Sequence, residues 1–149
     1  MGIALSRRRL LIIAPAAILL LGGATLGARM MQPPPTELDL SLQKGTDKGL
    51  YVATLASERA PIPVGAMHSW TVTVTTPDGA PAEGVSIGID GGMPQHGHGL
   101  PTAPRVTADL GNGVHRIDGM KFSMAGWWTL TVAIDGPAGA DQATFNLVL

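Results

Sequence analysis

Short runs in which apolar and polar residues alternate fill the chain from Leu50 onward, and they limit the fold more than any other feature. In the run 67–76, Trp70, Val72 and Val74 alternate with threonines, so the apolar side chains share one face of a strand. The same alternation recurs, between turn residues, in 50–56, 85–89, 105–110, 114–119, 127–134 and 142–149. No sustained helical repeat occurs past residue 28. The pattern predicts an all-β domain, an immunoglobulin-like antiparallel β-sandwich of about seven strands.

The first 29 residues differ sharply from the rest. Three arginines at 7–9 precede an uncharged, mostly apolar run at 10–28, which Arg29 ends. This arrangement predicts one N-terminal hydrophobic helix over 1–29, a signal peptide or a signal anchor, with the N-terminus in the cytoplasm. A retained anchor predicts a single-pass inner-membrane protein whose C-terminal domain lies in the periplasm. Cleavage after Ala24 would instead release the domain into the periplasm.

A proline-rich linker follows the apolar run. Residues 30–49 contain Pro33-Pro34-Pro35 and then mainly polar residues, which predicts an extended tether ahead of a domain at 50–149. Beyond residue 30 the chain has six basic and eleven acidic residues, a net charge of −5. Nucleic acid is therefore not an expected partner, because phosphate backbones require a basic surface.

The residue types present also restrict which metal sites and catalytic mechanisms the chain can have. The chain has no cysteine, so disulfides, thiolate metal sites and thiol nucleophiles are excluded. It has neither a GxSxG elbow nor a phosphate-cradling GxxxxGK[ST] sequence, and its aspartates are scattered singly through turns. The sequence therefore predicts a protein that is not an enzyme.

The segment 91–102, GGMPQHGHGLPT, concentrates potential metal ligands. His96 and His98 are two residues apart, so in an extended backbone both imidazoles leave the same face. Met93 adds a thioether, and imidazole with thioether favours a soft or borderline ion, copper(I) first. A surface loop that carries two histidines without a metal is the alternative interpretation.

Other methionines and histidines are weaker candidates. Met120, Phe122 and Met124 share parity in a stretch that ends in two tryptophans, and core packing is the ordinary role of such side chains. Met124 is the exception, because it precedes Ala125-Gly126 at a strand entrance, where the loops of a sandwich gather. His115 is expected to be a buried strand residue, and His68 either a supporting group or an exposed one.

Two motifs give the chain a family resemblance. MPxHGHG at 93–99 is followed by FxMxGxW, formed by Phe122, Met124, Gly126 and Trp128, after a first strand that begins at Gly49-Leu50-Tyr51. Together they resemble the YtkA-like/FixH family. The resemblance implies a membrane-anchored, exported immunoglobulin-like domain, in a family often associated with cytochrome oxidase assembly and copper supply. The chain departs from the family in having Met124-Ala125-Gly126 in place of Met-Pro-Gly, and His115 in place of a tyrosine.

These observations lead to one hypothesis and two alternatives. The hypothesis is a non-catalytic copper-binding domain in which Met93, His96, His98 and Met124 hold copper(I) and pass it to a receiving protein. The first alternative is a metal-free interaction module in which the histidine loop is a rigid epitope that docks on a membrane complex, such as an oxidase subunit, with a dependence on the surface around Trp127. The second is zinc bound by the two histidines and water.

Overall fold

The computed structural model describes residues 35–149, so the predicted anchor at 1–29 and the start of the predicted tether at 30–34 lie outside the described residues. Residues 35–149 form nine strands and no helix: β1 Gln43–Gly45, β2 Val52–Ser57, β3 His68–Thr75, β4 Ser86–Met93, β5 His98–Gly99, β6 Arg105–Gly111, β7 Val114–Met120, β8 Trp127–Gly136 and β9 Gly139–Val148. Within this range no helix is long and apolar enough to cross a bilayer. The all-β prediction is confirmed.

The strand count is nine, and the predicted count of about seven is wrong. The strands that the sequence pattern missed are β1, with three residues, and β5, with two. A run of two or three residues is too short to show an alternation of period two. β1 also lies inside the segment 30–49 that the sequence assigns to a tether, and it pairs with β2 through Lys44 and Ala53.

The strands pair antiparallel in the order β1-β2-β3-β7-β6-β4-β8-β9, and β5 pairs with the end of β4. Only one residue pair, Gly88 with Arg105, joins β4 to β6. Residues from both sides of this weak junction fill a single core, so the sheet folds over as a sandwich-like pair of layers.

Alternation along the strands decides which side chains enter this core. Trp70, Val72 and Val74 of β3 are fully buried, as their shared parity predicts. On β8 the same period buries Trp128, Leu130, Val132 and Ile134. Complete burial of an apolar side chain of this size stabilises a fold by about 1.5–3 kcal/mol, so these two strands contribute much of the stability.

The loops lie at the two ends of the sandwich. At the end opposite the histidines, the buried carboxylate of Asp141 binds backbone amides of the neighbouring turn. Asp141 accepts backbone hydrogen bonds from Lys48 (3.1 Å), Leu50 (3.2 Å) and Gln142 (2.9 Å). Burial alone would raise the pKa of Asp141, but these bonds and one from Thr46 outweigh it and lower the pKa to about 2. The ionised carboxylate therefore fixes the β1–β2 turn against β9.

Candidate metal site

The histidine segment forms a hairpin at the end of β4. Met93 pairs with His98, and Gly92 with Gly99, so β5 folds directly back on β4. The amides of His96 (3.1 Å) and Gly97 (2.9 Å) donate hydrogen bonds to the Met93 carbonyl oxygen, which closes the turn. Gly97 adopts a left-handed conformation, with φ of 67°, that favours glycine.

This turn changes how the two histidines come together. His96 lies in the turn and His98 in β5, so the extended backbone expected between them is not present. Their ring centroids are nevertheless 5.9 Å apart, with an interplanar angle of 35°. The left-handed Gly97 reverses the chain, and the two imidazoles become neighbours through the turn and not along a strand.

Met93 and His98 form the centre of the candidate site. Residues directly opposite each other in an antiparallel pair have β-carbons about 4.5–5.5 Å apart on one face, so the two side chains start from neighbouring positions. Met93 is 1% exposed, whereas His98 is exposed. The His98 ring packs edge-on against Trp128, with centroids 5.6 Å apart. The His98 imidazole thus lies exposed at the rim of the core, whereas Met93 is buried.

The tautomer of His98 follows from its hydrogen bond. Nδ1 lies 3.1 Å from the Gly99 carbonyl oxygen. A carbonyl oxygen only accepts, so Nδ1 carries the proton and Nε2 carries the lone pair. Histidines that bind metals commonly donate their other ring nitrogen to a carbonyl or carboxylate in this way. In this tautomer the hydrogen bond to Gly99 leaves the Nε2 lone pair of His98 unused.

The second loop of the site, residues 121–126, joins the hairpin through Trp128 and Gly126. The Trp128 indole Nε1 donates a hydrogen bond of 3.0 Å to the Met124 carbonyl oxygen, while its ring contacts His98. A β-carbon built on Gly126 would lie only 2.7 Å from Met93 Cε, so the methionine methyl packs against this glycine. The structure thus brings together the two loops that carry the predicted ligands, and the Met124 side chain is 42% exposed.

Sequence reasoning missed the supporting roles of Trp128 and Gly126. Trp128 is fully buried, and Gly126 has φ of 131°, a value that side-chain-bearing residues rarely adopt. The FxMxGxW spacing contains both residues, but only the folded chain shows that they connect the loop 121–126 to the histidine hairpin. These contacts join residues about 30 positions apart in sequence.

The other two histidines lie inside the fold. His115 is buried, as expected, and His68 is buried too, with Nδ1 donating to the Ala66 carbonyl oxygen at 3.1 Å. The His68 ring packs 5.6 Å from Phe122. Within residues 35–149, neither Nε2 atom has a hydrogen-bond partner. Both rings act in core packing, and they add no ligand to the hairpin.

The composition of the site restricts what it can bind. Among residues 35–149, no three His, Asp or Glu side chains cluster closely enough to hold a metal. Two imidazoles alone make a poor hard-metal site, whereas two imidazoles with thioethers suit a soft ion. Beside the hairpin lies an open depression of about 350 Å³, lined by Gly92, His98 and Thr129 among others. The residues present therefore fit copper(I) better than a hard divalent cation.

Comparison with known proteins agrees with the motifs. Residues 46–133 match the profile of the YtkA-like family, a range that includes the histidine hairpin, the 121–126 loop and Trp128. The chain has no significant match among curated proteins or among solved structures. Since the matched range exceeds half of the 149 residues, this chain belongs to the YtkA-like family.

Proposed function

We propose that this protein is an exported, membrane-anchored and non-catalytic domain that holds copper(I) and passes it to a receiving protein. The observation that carries the proposal is the hairpin geometry, in which the imidazoles lie 5.9 Å apart and Met93 stands opposite His98. The ligands are His96, His98, Met93 and Met124. Supply of metal to a respiratory oxidase is the role that suits such a domain.

The imidazole and thioether donors explain both the preference for copper(I) and the release of copper(I) to a receiving protein. Imidazole and thioether are neutral donors, so they leave the charge of the ion uncompensated and favour the monovalent state. Thioethers bind soft ions and do not suit zinc, which prefers thiolate, imidazole or carboxylate. His98 and Met124 are exposed, so a receiving protein can reach the ion while it is still bound.

The proposal that the protein is anchored and exported is based on its first 29 residues. Three arginines precede the uncharged run 10–28 and one follows it, the asymmetry that keeps an N-terminus in the cytoplasm and sends the chain after it across the membrane. The domain is then exposed to the periplasm. In the periplasm the domain carries copper and catalyses no reaction.

The proposal is tested by copper(I) titration of the purified chain against a competing chelator under anaerobic conditions. The double variant His96→Ala, His98→Ala is expected to bind at least about tenfold more weakly, a change of ~1.4 kcal/mol or more. Met124→Leu removes one thioether at an exposed position and is expected to weaken binding as well.

Met67→Leu is the matched control for Met124→Leu. Met67 is also an exposed methionine, 61% accessible, but it lies outside the two ligand loops. It is expected to leave the copper affinity unchanged. Equal affinity in the wild type and the double histidine variant would refute the proposal, and zinc retained after dialysis in preference to copper would support the zinc alternative.

A further inference from the structure

The outer face of β4 and β8 carries small side chains. Leu130, Val132 and Ile134 of β8 enter the core, so the alternate residues 129, 131, 133 and 135 point away from it. Residues 92, 90, 88 and 86 of β4 lie opposite them. Positions 88 and 92 are glycine, and Ala133 has only a methyl group. The two strands therefore leave a groove along their outer surface.

Two neighbouring depressions make up this groove. One, of about 470 Å³, is lined by Ser86, Gly88 and Ala133 among others. The other is the depression of about 350 Å³ beside the histidine hairpin, and its lining includes Asp90 and Thr131. Gly88 and Asp90 are successive outward-facing residues, so the depressions follow one another along β4. From position 86 to position 92 a strand rises by about 20 Å, the length of an extended segment of about six residues.

The histidine hairpin closes one end of the groove. A β-carbon built on Gly92 would lie 2.5 Å from the His98 carbonyl oxygen, so β5 curls over the outer face at this point. His98 lines the groove there. Asp47 and Lys48, in the β1–β2 turn, line the far end. A segment bound along the groove therefore has one of its ends beside His98.

The groove carries unpaired negative charge. Asp47, Asp90 and Asp135 line it, and among residues 35–149 none of the three forms a salt bridge. Strands β4, β8 and β9 contain no lysine or arginine. Lys48 lines the groove, but its Nζ donates a hydrogen bond of 2.7 Å to the Ala140 carbonyl oxygen.

The arginines nearest in the sheet do not neutralise this charge. Arg105 is opposite Gly88 in the single β4–β6 pair, but it lines a separate depression together with Asp118. Arg116 is bonded to Glu58 and Asp118, which lie outside the groove. The carboxylates of the groove are thus available to a cation from another molecule.

We infer that this groove binds an extended, positively charged segment of a partner protein. Asp90 is level with Thr131, and Asp135 lies four residues further along β8, so the two acidic side chains start about 13 Å apart. Residues four apart in an extended segment share one face and have the same spacing. Lysine or arginine at positions i and i+4 of the segment therefore pairs with both carboxylates, and the negative field of the groove speeds its approach.

Charge also decides against a second copy of this chain as the occupant. Beyond residue 30 the net charge is −5, so two copies repel each other. The inference deepens the proposed function, and it rests on that function in identifying the partner with the protein that receives copper(I). The docked segment ends beside His98, which brings the receiving protein to the metal. Docking itself requires no metal.

The test is an NMR titration of the full chain, labelled with ¹⁵N, in detergent micelles and without copper. The probe is a seven-residue peptide with blocked ends, in which threonines separate two lysines four positions apart. In the control peptide, glutamates replace the lysines. Amide shifts of residues 86–92 and 129–135 are expected to change with the lysine peptide and not with the glutamate peptide. Changes only elsewhere, or no change at millimolar peptide, would overturn the inference.

Two double variants separate the groove from net charge. Asp90→Asn with Asp135→Asn removes two charges from the groove, and Glu83→Gln with Asp109→Asn removes two exposed charges outside it. The groove variant is expected to bind the lysine peptide at least about fivefold more weakly, and the control to stay within about twofold of wild type. Equal weakening in the two variants would overturn the inference, because it would show a response to net charge alone.

A third variant tests the floor of the groove. Ala133→Gln places a longer, uncharged side chain at an exposed position between the two depressions. It is expected to weaken peptide binding while thermal unfolding stays that of the wild type, and unchanged peptide affinity would contradict binding in the groove. Sedimentation equilibrium in the same micelles tests the other occupant. A dimer whose interface maps to residues 86–92 and 129–135 would overturn the inference and assign the groove to a second copy.

Chelator competition on the same proteins measures the proposed function separately. Asp90 and Asp135 are not among the proposed ligands, so the groove variant is expected to keep the copper(I) affinity of the wild type. Peptide binding by a chain that does not bind copper(I) would uphold the groove and refute the metal site. Copper(I) binding by a chain that ignores the peptide would uphold the metal site and refute the groove.

Discussion

Replacing Gly91 by alanine should destabilise the protein strongly, because the strand that delivers the histidines passes too close to β8 for a side chain. A β-carbon built on Gly91 would lie within 3.0 Å of two atoms, the Thr129 carbonyl oxygen and Leu130 Cδ2. Leu130 is fully buried and cannot swing into solvent. The carbonyl oxygen belongs to the backbone of β8, so it moves only if the two strands separate.

The magnitude follows from these contacts. Leu130 Cδ2 would have to retreat by about 0.6 Å from its 2.8 Å separation to reach ordinary contact. Overpacking of this kind costs about 1–3 kcal/mol, and weakening an interstrand hydrogen bond adds ~1 kcal/mol. The sum is a loss of about 2–4 kcal/mol in the free energy of unfolding. For a domain of this size, that corresponds to a fall in Tm of about 10 °C.

Gly88→Ala is the matched control in the same strand. Its β-carbon would meet only the Ala133 β-carbon, at an ordinary 3.8 Å, so a change within about 0.5 kcal/mol is expected. Thermal unfolding of the purified chain, followed by circular dichroism, measures both variants. Equal Tm values for wild type and Gly91→Ala, or equal losses in the two variants, would refute the close approach of β4 to β8.

Three further predictions concern the core of the site and the opposite end. Met93→Leu should keep the free energy of unfolding within about 1.5 kcal/mol of wild type while weakening copper(I) binding, whereas Met93→Ala should lose ~2–5 kcal/mol in chemical denaturation. Trp128→Phe removes the indole donor to the Met124 carbonyl oxygen, so amide exchange in the loop 121–126 should accelerate; unchanged exchange would contradict that role for the hydrogen bond. The pKa of Asp141 is lowered to about 2, so its ionisation stabilises the fold fully above its ordinary pKa of 3.8, and this stabilisation is lost as the pH falls from 3.8 towards 2. Asp141→Asn should flatten that part of the stability profile in acid titration, and an unchanged profile would show that the carboxylate does not anchor the turn.

The faces of the long strands could be predicted from the sequence because they depend on local geometry. A strand places alternate residues on opposite faces, so the order of Trp70, Val72 and Val74 in the chain already assigns them to one face. The alternation in 85–89 likewise predicts that the histidine segment follows directly after a strand. In the structure this segment begins at the end of β4. The short strands β1 and β5 carry too few residues for such a pattern, and their pairing is visible only in the folded chain.

Sequence alone determined the all-β class, the absence of thiol chemistry, the family motifs and the set of residues available as ligands. Tertiary structure decided which of those residues are neighbours. The turn at Gly97 makes the two imidazoles adjacent, the register of β4 and β5 sets Met93 opposite His98, and Trp128 joins the second loop to the first. The physical reason is that strand register and the packing between layers depend on contacts between residues far apart in the chain, which local alternation does not encode.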